Sequence, residues 1–224
     1  LKAIGPKMRK LSLGTQITSD FILDFLFENC TALDTLDLSF KATKNAQRLL
    51  FRHMHVMTKL QILDFSNSFC IRTSHFTPVI EAIGSGLTIL NLSHCSLLEN
   101  QLVEAIGNHC RQLKRLALNG CMKMTSVGLI HISKCTTLQD IELSAVTQCE
   151  DIAICKIIHN CKGLLFLNLS CMGKLTKAVP EKIMDSLPLL RTVNLSQCIS
   201  IDIEALDKLR LKRTNVAVKY KRKK

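Results

Sequence analysis

The sequence predicts an α/β fold, a right-handed solenoid with a parallel β-sheet on its concave face and helices on its convex face. Three observations predict it. The pattern apolar-x-x-apolar-x-apolar recurs nine times along the 224 residues. Each unit joins a stretch of period two to a stretch of helical period. The spacing between units stays close to 26 residues, giving about eight to nine repeats. A unit of this size cannot bury its apolar face alone, so the units must stack on one another.

Taken in order, the segments are Met8–Leu13, Leu33–Leu38, Leu60–Phe65, Leu87–Leu92, Leu113–Leu118, Leu138–Leu143, Leu164–Leu169 and Leu190–Leu195. An incomplete ninth, Val216-Ala217-Val218, follows. The last apolar position falls at 13, 38, 65, 92, 118, 143, 169, 195 and 218, so only the final interval, 23 residues, departs from 25–27. Each apolar-x-apolar core suits a short strand with one buried face. Between the strands lie helical patterns that open on capping residues. Thr18-Ser19-Asp20 precedes Phe21–Phe27, Thr73-Ser74 precedes Phe76–Ile83, and Thr125-Ser126 precedes Val127, Ile130 and Ile132–Ser133, expected on one helix face. Strands sit about 4.8 Å apart and helices on the order of 10 Å, so stacking both bends the array with the strands inside. Nine strands make an inner wall about 38 Å long.

Hydrophobic residues are 47% of the chain and charged residues 21%, which excludes disorder as the overall state. With no Trp and one Tyr, the core falls to Leu, Ile and Val. No apolar run reaches the roughly 18–20 residues that cross a bilayer, and no secretion signal opens the chain. It begins with Leu rather than Met, as a piece of a longer chain would. The net charge of +12 is uneven. Residues 1–10 carry four cations and no acid, residues 208–224 carry nine cations and no acid, and the stretch between is close to neutral. Two parts follow: a solenoid over residues 1–207, its first repeat incomplete, and a basic cap or tail over residues 208–224.

Eleven cysteines is an odd number and a low share for a disulfide scaffold. Cys149, Cys155 and Cys161, with His159 nearby, are spaced too widely for a common structural zinc site and read as small buried hydrophobes. Free buried thiols favour a reducing compartment: a cytoplasmic protein, with nuclear or ciliary and cytoskeletal placement as variants, and not a secreted one. Four glycosylation-like triplets begin at Asn29, Asn91, Asn168 and Asn194. Three are the strand end Asn-Leu-Ser repeated, so all four read as false positives. Phosphate-loop, dinucleotide, zinc-protease and nucleophile-elbow motifs are missing, so no enzyme, cofactor or metal is expected.

Cysteines recur at fixed places in the repeat. Cys30, Cys110, Cys135 and Cys161 stand three residues before the first apolar position, and Cys95, Cys121 and Cys198 three after the last. In this the chain resembles leucine-rich repeats of the cysteine-containing type, best known from F-box/leucine-rich-repeat proteins. The resemblance implies a horseshoe and a protein-binding role as the substrate-recognition arm of a ubiquitin-ligase receptor. It also implies an F-box ahead of the repeats, docking the adaptor of a cullin–RING ligase. No such segment lies within these 224 residues, and Gly5 stands where the next repeat has Cys30. The same repeat type also serves as a structural subunit of large axonemal or ribonucleoprotein assemblies, so neighbouring subunits are the alternative partners.

The x residues of each strand are expected on the concave wall. One column reads Ser12, Asp37, Asp64, Asn91, Ala117, Glu142, Asn168, Asn194, Ala217, and the central one Lys10, Thr35, Ile62, Ile89, Arg115, Asp140, Phe166, Thr192. Together with the first column (Arg9, Asp34, Gln61, Thr88, Lys114, Gln139, Leu165, Arg191), the first eight strands carry five positive and five negative side chains, a balance unlike a nucleic-acid surface. Two apolar spots interrupt the polar wall, Ile62 with Ile89 and Leu165 with Phe166. With Asp37, Asp64, Arg115 and Asp140 around them, they form the candidate partner-binding set. The tail residues Lys219, Lys221, Arg222, Lys223 and Lys224 form a second candidate, for an acidic protein or RNA, or else a solvated cap. Alternation of Val216, Val218 and Tyr220 suggests that the last strand runs on to Tyr220.

Overall fold

The computed structural model describes residues 5–13, 28–39, 51–52, 54 and 57–221. The helix expected after Thr18-Ser19-Asp20 lies outside the described residues. Nine strands of three residues each follow one another: β1 (Lys10–Ser12), β2 (Thr35–Asp37), β3 (Ile62–Asp64), β4 (Ile89–Asn91), β5 (Arg115–Ala117), β6 (Asp140–Glu142), β7 (Phe166–Asn168), β8 (Thr192–Asn194) and β9 (Ala217–Lys219). They form one parallel sheet in chain order. The register advances by one repeat each time, so Leu36, Leu63, Leu90, Leu116, Ile141, Leu167 and Val193 make a single row. All of that row is buried. This is a leucine-rich-repeat solenoid.

The strands are short because the chain turns two residues after the last apolar position. There Asn67, His94, Gly120, Ala145, Cys171 and Gln197 all take positive φ. The turn does not end the ladder. Asn67, Gly120, Ala145 and Cys171 each donate their N–H to the following repeat at 2.8 Å. The chain then dips into the core at every third residue. Cys95, Cys121, Val146, Met172 and Cys198 fill one buried slot, and Leu98, Met124, Cys149, Leu175 and Ile201 the next. Cys149 is therefore also a repeat position. Thiols suit the first slot because each also donates a weak hydrogen bond to the preceding repeat: Cys95 to Phe65 O at 3.2 Å, Cys121 to Leu92 O at 3.2 Å and Cys198 to Leu169 O at 3.0 Å.

On the other face lie α1 (Thr73–Ile83), α2 (Asn100–His109), α3 (Ser126–Leu129) continued by a 3-10 turn (Ile130–Lys134), α4 (Asp151–Asn160), α5 (Ala178–Ser186) and α6 (Ile203–Lys212). Consecutive helices pack side by side. Gly107 marks the closest approach, since a Cβ there would run into the carbonyl of His131. The Cys slot before the strand is the helix C-cap: Cys110, Cys135 and Cys161 each close their helix with a backbone bond.

Three sequence expectations need correction. Of the face expected for α3, Ile132 and Ser133 are buried and Ile130 is half-buried, but Val127 is 72% exposed and Leu129 takes its place inside. Thr125 does cap α3, accepting from Val127 N, but Thr73 does not cap α1. Its hydroxyl instead accepts from Glu99 N in the next repeat at 2.8 Å. The ninth strand is also displaced. Val218 faces Val193 and Lys219 faces Asn194, so Val218 fills the middle apolar slot rather than the last. One x residue is missing between Val216 and Val218, and Tyr220 takes the last slot, packed against the core. The odd interval of 23 becomes 25. Ala217 moves to the central column and Lys219 to the column of the acids and asparagines. The charge boundary at 207/208 falls inside α6, and β9 joins the sheet as the other strands do.

Candidate functional site

The concave wall is built from two rows set by the sheet register. In the central row Ile62 faces Ile89, Ile89 faces Arg115, Arg115 faces Asp140 and Asp140 faces Phe166. Ile62, Ile89 and Phe166 in this row are half-buried. Arg115 places Nε 2.9 Å and a terminal nitrogen 2.7 Å from the same oxygen of Asp140, with the arginine side chain 55% exposed. An exposed pair of this kind contributes little to stability. It does fix a charged bar between Ile62–Ile89 and Phe166. Three strand steps separate Ile89 from Phe166, roughly 14 Å. Leu165 sits at the entry to β7, half-buried, its carbonyl accepting from Arg191 N and Thr192 N.

The second row works inward. The Asp64 carboxylate accepts from Ser66 N at 2.8 Å and from the Asn91 amide at 2.8 Å. Asp37 accepts from Ser39 N, from the Ser39 hydroxyl and from the Ser12 hydroxyl. Partial burial of Asp37 pushes its pKa up, but these bonds to the charged form outweigh it and hold the carboxyl below its ordinary range. Asn91, Asn168 and Asn194 repeat the motif, each accepting the N–H two residues on at 3.1 Å. The asparagines of the three Asn-Leu-Ser triplets are thus occupied as turn-forming side chains. Where Ala117 breaks the column, Asn119 compensates by accepting from Ser144 N and donating to Glu142, both at 2.8 Å.

Side chains that spend their hydrogen bonds on one another leave two apolar patches, Ile62–Ile89 and Leu165–Phe166, on either side of the Arg115–Asp140 bar. Lys114 and Arg191 are exposed beside them and make no ion pair among the described residues. A polar hollow of about 540 Å³ opens at one edge, lined by Arg9, Asp34, Lys59, Gln61 and Thr88 among others. No group of three or more His, Cys, Asp or Glu side chains that could hold a metal comes together among the described residues. Cys149 and Cys161 are buried, and Cys155 donates to Ala178 O at 3.8 Å. All eleven cysteines are free thiols. No helix among the described residues is long and apolar enough to cross a membrane.

At the basic end the charges divide. Lys208 pairs with Glu204 and Arg210 with Asp207. Arg213 turns inward and donates to the carbonyls of Leu187 at 2.7 Å and Ile183 at 3.5 Å, closing α5. Lys212, Lys219 and Lys221 project into solvent. Arg222, Lys223 and Lys224 lie outside the described residues.

One surface escaped the sequence reading. Phe69, Met122 and Ile199 stand four residues after the last apolar position, and Val127, Ile152 and Ile203 in the first turns of helices; all are exposed. They line the edge where strands hand over to helices. A column drawn at the fourth position after each strand finds the first three; the others are hidden because helix starts vary by a residue between repeats.

No protein-family model and no curated protein matches the chain. Similarity lies in the fold. Internalin C2 from Listeria monocytogenes matches with a TM-score of 0.63 at 18% identity, covering 98% of this chain and 84% of that one. The leucine-rich-repeat-containing protein LegL7 from Legionella pneumophila matches at 0.58 and 18% identity, covering 94% and 73%. The crystal structure of the Rad7 and Elc1 complex in yeast matches at 0.59 and 15% identity over 91% of this chain, which spans 61% of that chain's length.

Proposed function

We propose that this chain is a non-catalytic protein-recognition module whose concave wall holds a partner protein. The observation that carries the reading is the central row: Ile62, Ile89 and Phe166 half-exposed in a wall whose polar side chains already satisfy one another. Apolar patches bordered by charge are the usual anatomy of a protein-binding surface. One protein of similar fold was crystallised as a complex with a second protein, Rad7 with Elc1. In its finer form the reading is the substrate-recognition arm of an F-box-type ubiquitin-ligase receptor, with the adaptor bound through a segment ahead of the repeats. The cysteine slots support that form. The alternative, a structural subunit of an axonemal or ribonucleoprotein assembly, is favoured by the exposed lysines at the C-terminal end. Eleven free thiols suit a cytoplasmic or nuclear setting in either case.

Phe166→Ala and Ile89→Asp are expected to weaken partner capture about tenfold or more each, with the far-ultraviolet circular dichroism unchanged. Capture by the double variant at the level of the parent protein would place the partner elsewhere. Co-purification of a cullin–RING adaptor with the full-length protein favours the receptor form, and co-sedimentation with a large particle without any adaptor favours the structural one.

A further inference from the structure

β9 is the last strand of the sheet, with β8 as its one neighbour among the described residues. Its inner side is fully engaged. Ala217 N donates to Arg191 O at 2.8 Å, Leu195 N donates to Lys219 O at 2.9 Å, and Gln197 N donates to Lys221 O at 2.9 Å, reinforced by the Gln197 side chain at 2.8 Å. In a parallel ladder alternate residues address alternate neighbours. Ala217, Lys219 and Lys221 therefore face β8, and the N–H and C=O of Val218 point away from it. The strand is anchored for this: Val216 is buried, and Val218 and Tyr220 pack on the core. A rigid, extended strand thus offers its outer hydrogen-bonding edge.

The charges around that edge select what can bind. Lys219 and Lys221 are exposed beside it, Lys212 projects from the end of α6, and neither acid of α6 faces them unpaired, since Glu204 and Asp207 hold Lys208 and Arg210. Edge lysines of this kind repel a second basic edge. The opposite end of the sheet, β1, is itself basic through Arg9 and Lys10, so head-to-tail stacking of two copies is disfavoured. An acidic strand meets complementary charge and open backbone groups together. RNA would find the cations but no stacking platform, because Tyr220, the chain's only tyrosine, is packed against the core.

We propose that the outer edge of β9 receives an extended acidic segment of a partner protein as a further strand of the sheet. Backbone bonds at Val218 would give it hold, and Lys219, Lys221 and Lys212 its sign. This site is separate from the concave-wall reading and stands or falls apart from it.

The test uses a fluorescent seven-residue peptide of alternating Glu and Val, with ten-nucleotide oligouridylate as a second probe, against the 224-residue chain. Lys219→Glu with Lys221→Glu should weaken the peptide about tenfold or more, as like charge replaces opposite charge. Val218→Pro removes the outward N–H, as edge positions tolerate, together with part of the Val218 packing, and should weaken the peptide comparably with the far-ultraviolet circular dichroism unchanged. Hydrogen exchange should show residues 216–220 protected when the peptide is added, which tests strand addition without any substitution. Phe166→Ala should leave peptide affinity unchanged. No measurable peptide binding, or binding without added protection at residues 216–220, overturns the proposal. So does oligouridylate that binds more tightly than the peptide and displaces it, or loss of the peptide on Phe166→Ala.

Discussion

Asn67, His94, Gly120, Ala145, Cys171 and Gln197 hold φ between 60 and 69°, yet five of the six carry a Cβ. A left-handed residue other than glycine costs roughly 1–2 kcal/mol. The cost is tolerated because each residue's N–H is captured by the next repeat, so the turn is over-determined. Ala145→Gly should then stabilise the chain by about 1 kcal/mol, the relieved strain exceeding the added freedom of the unfolded chain. Gly120→Ala should destabilise it, by about 1–2 kcal/mol, because strain is joined by a Cβ 2.7 Å from His94 Nδ1. Urea midpoints of the two variants check both signs; a destabilised Ala145→Gly refutes the strain account. Thiols divide at the same scale. Exposed Cys171 should react first with a disulfide reagent, Cys70 and Cys155 more slowly, and the eight buried cysteines only on unfolding. Complete labelling of native protein in one fast phase contradicts that order.

At the scale of elements, the strands were legible because apolar-x-apolar is both the local β pattern and the global core contact. The turns after them were not, since Asn, His, Gly, Ala, Cys and Gln share no side-chain chemistry; only the captured N–H unites them. β9 was misread because one residue is missing between Val216 and Val218, and only the register to Val193 shows where. Val127 points outward because Leu129, not Val127, reaches the core from the first turn of α3, a choice that apolar spacing alone does not make. The columns of the wall follow from the repeat through the sheet register, but the bonds of Asp37 and Asp64 to their own turns depend on backbone geometry the sequence does not carry. Arg213 is the clearest case. It read as tail charge, yet its guanidinium reaches the last carbonyls of α5, where a cation also opposes the negative end of the helix. Arg213→Ala should cost about 1–2 kcal/mol and raise hydrogen exchange in the last turn of α5. Loss of stability without faster exchange there would mean that Arg213 acts elsewhere.

Across the whole molecule the buried thiols couple folding to pH. Burial pushes Cys95, Cys110, Cys149 and Cys161 up to about 12 and Cys121, Cys135 and Cys198 up to about 11. In the unfolded chain a thiol ionises near about 8.5. Below that value both states hold the proton, and the thiols leave stability independent of pH. Above it the unfolded chain releases protons that the folded chain retains, so stability falls until the folded thiols ionise in turn. Each thiol adds a slope of up to about 1.4 kcal/mol per pH unit between those limits. Because the seven line one continuous core, they act together on one cooperative unit. The urea midpoint should therefore hold near pH 7, begin to drop around pH 8 and fall steeply from about pH 9 toward pH 10. Replacing Cys110 and Cys161 with Ala should lower the starting stability through lost packing yet flatten the alkaline fall, two effects that bland destabilisation would not combine. A midpoint unchanged from pH 8 to pH 10, or an equal fall in that variant, would show that the thiol column is not what makes the solenoid sensitive to base.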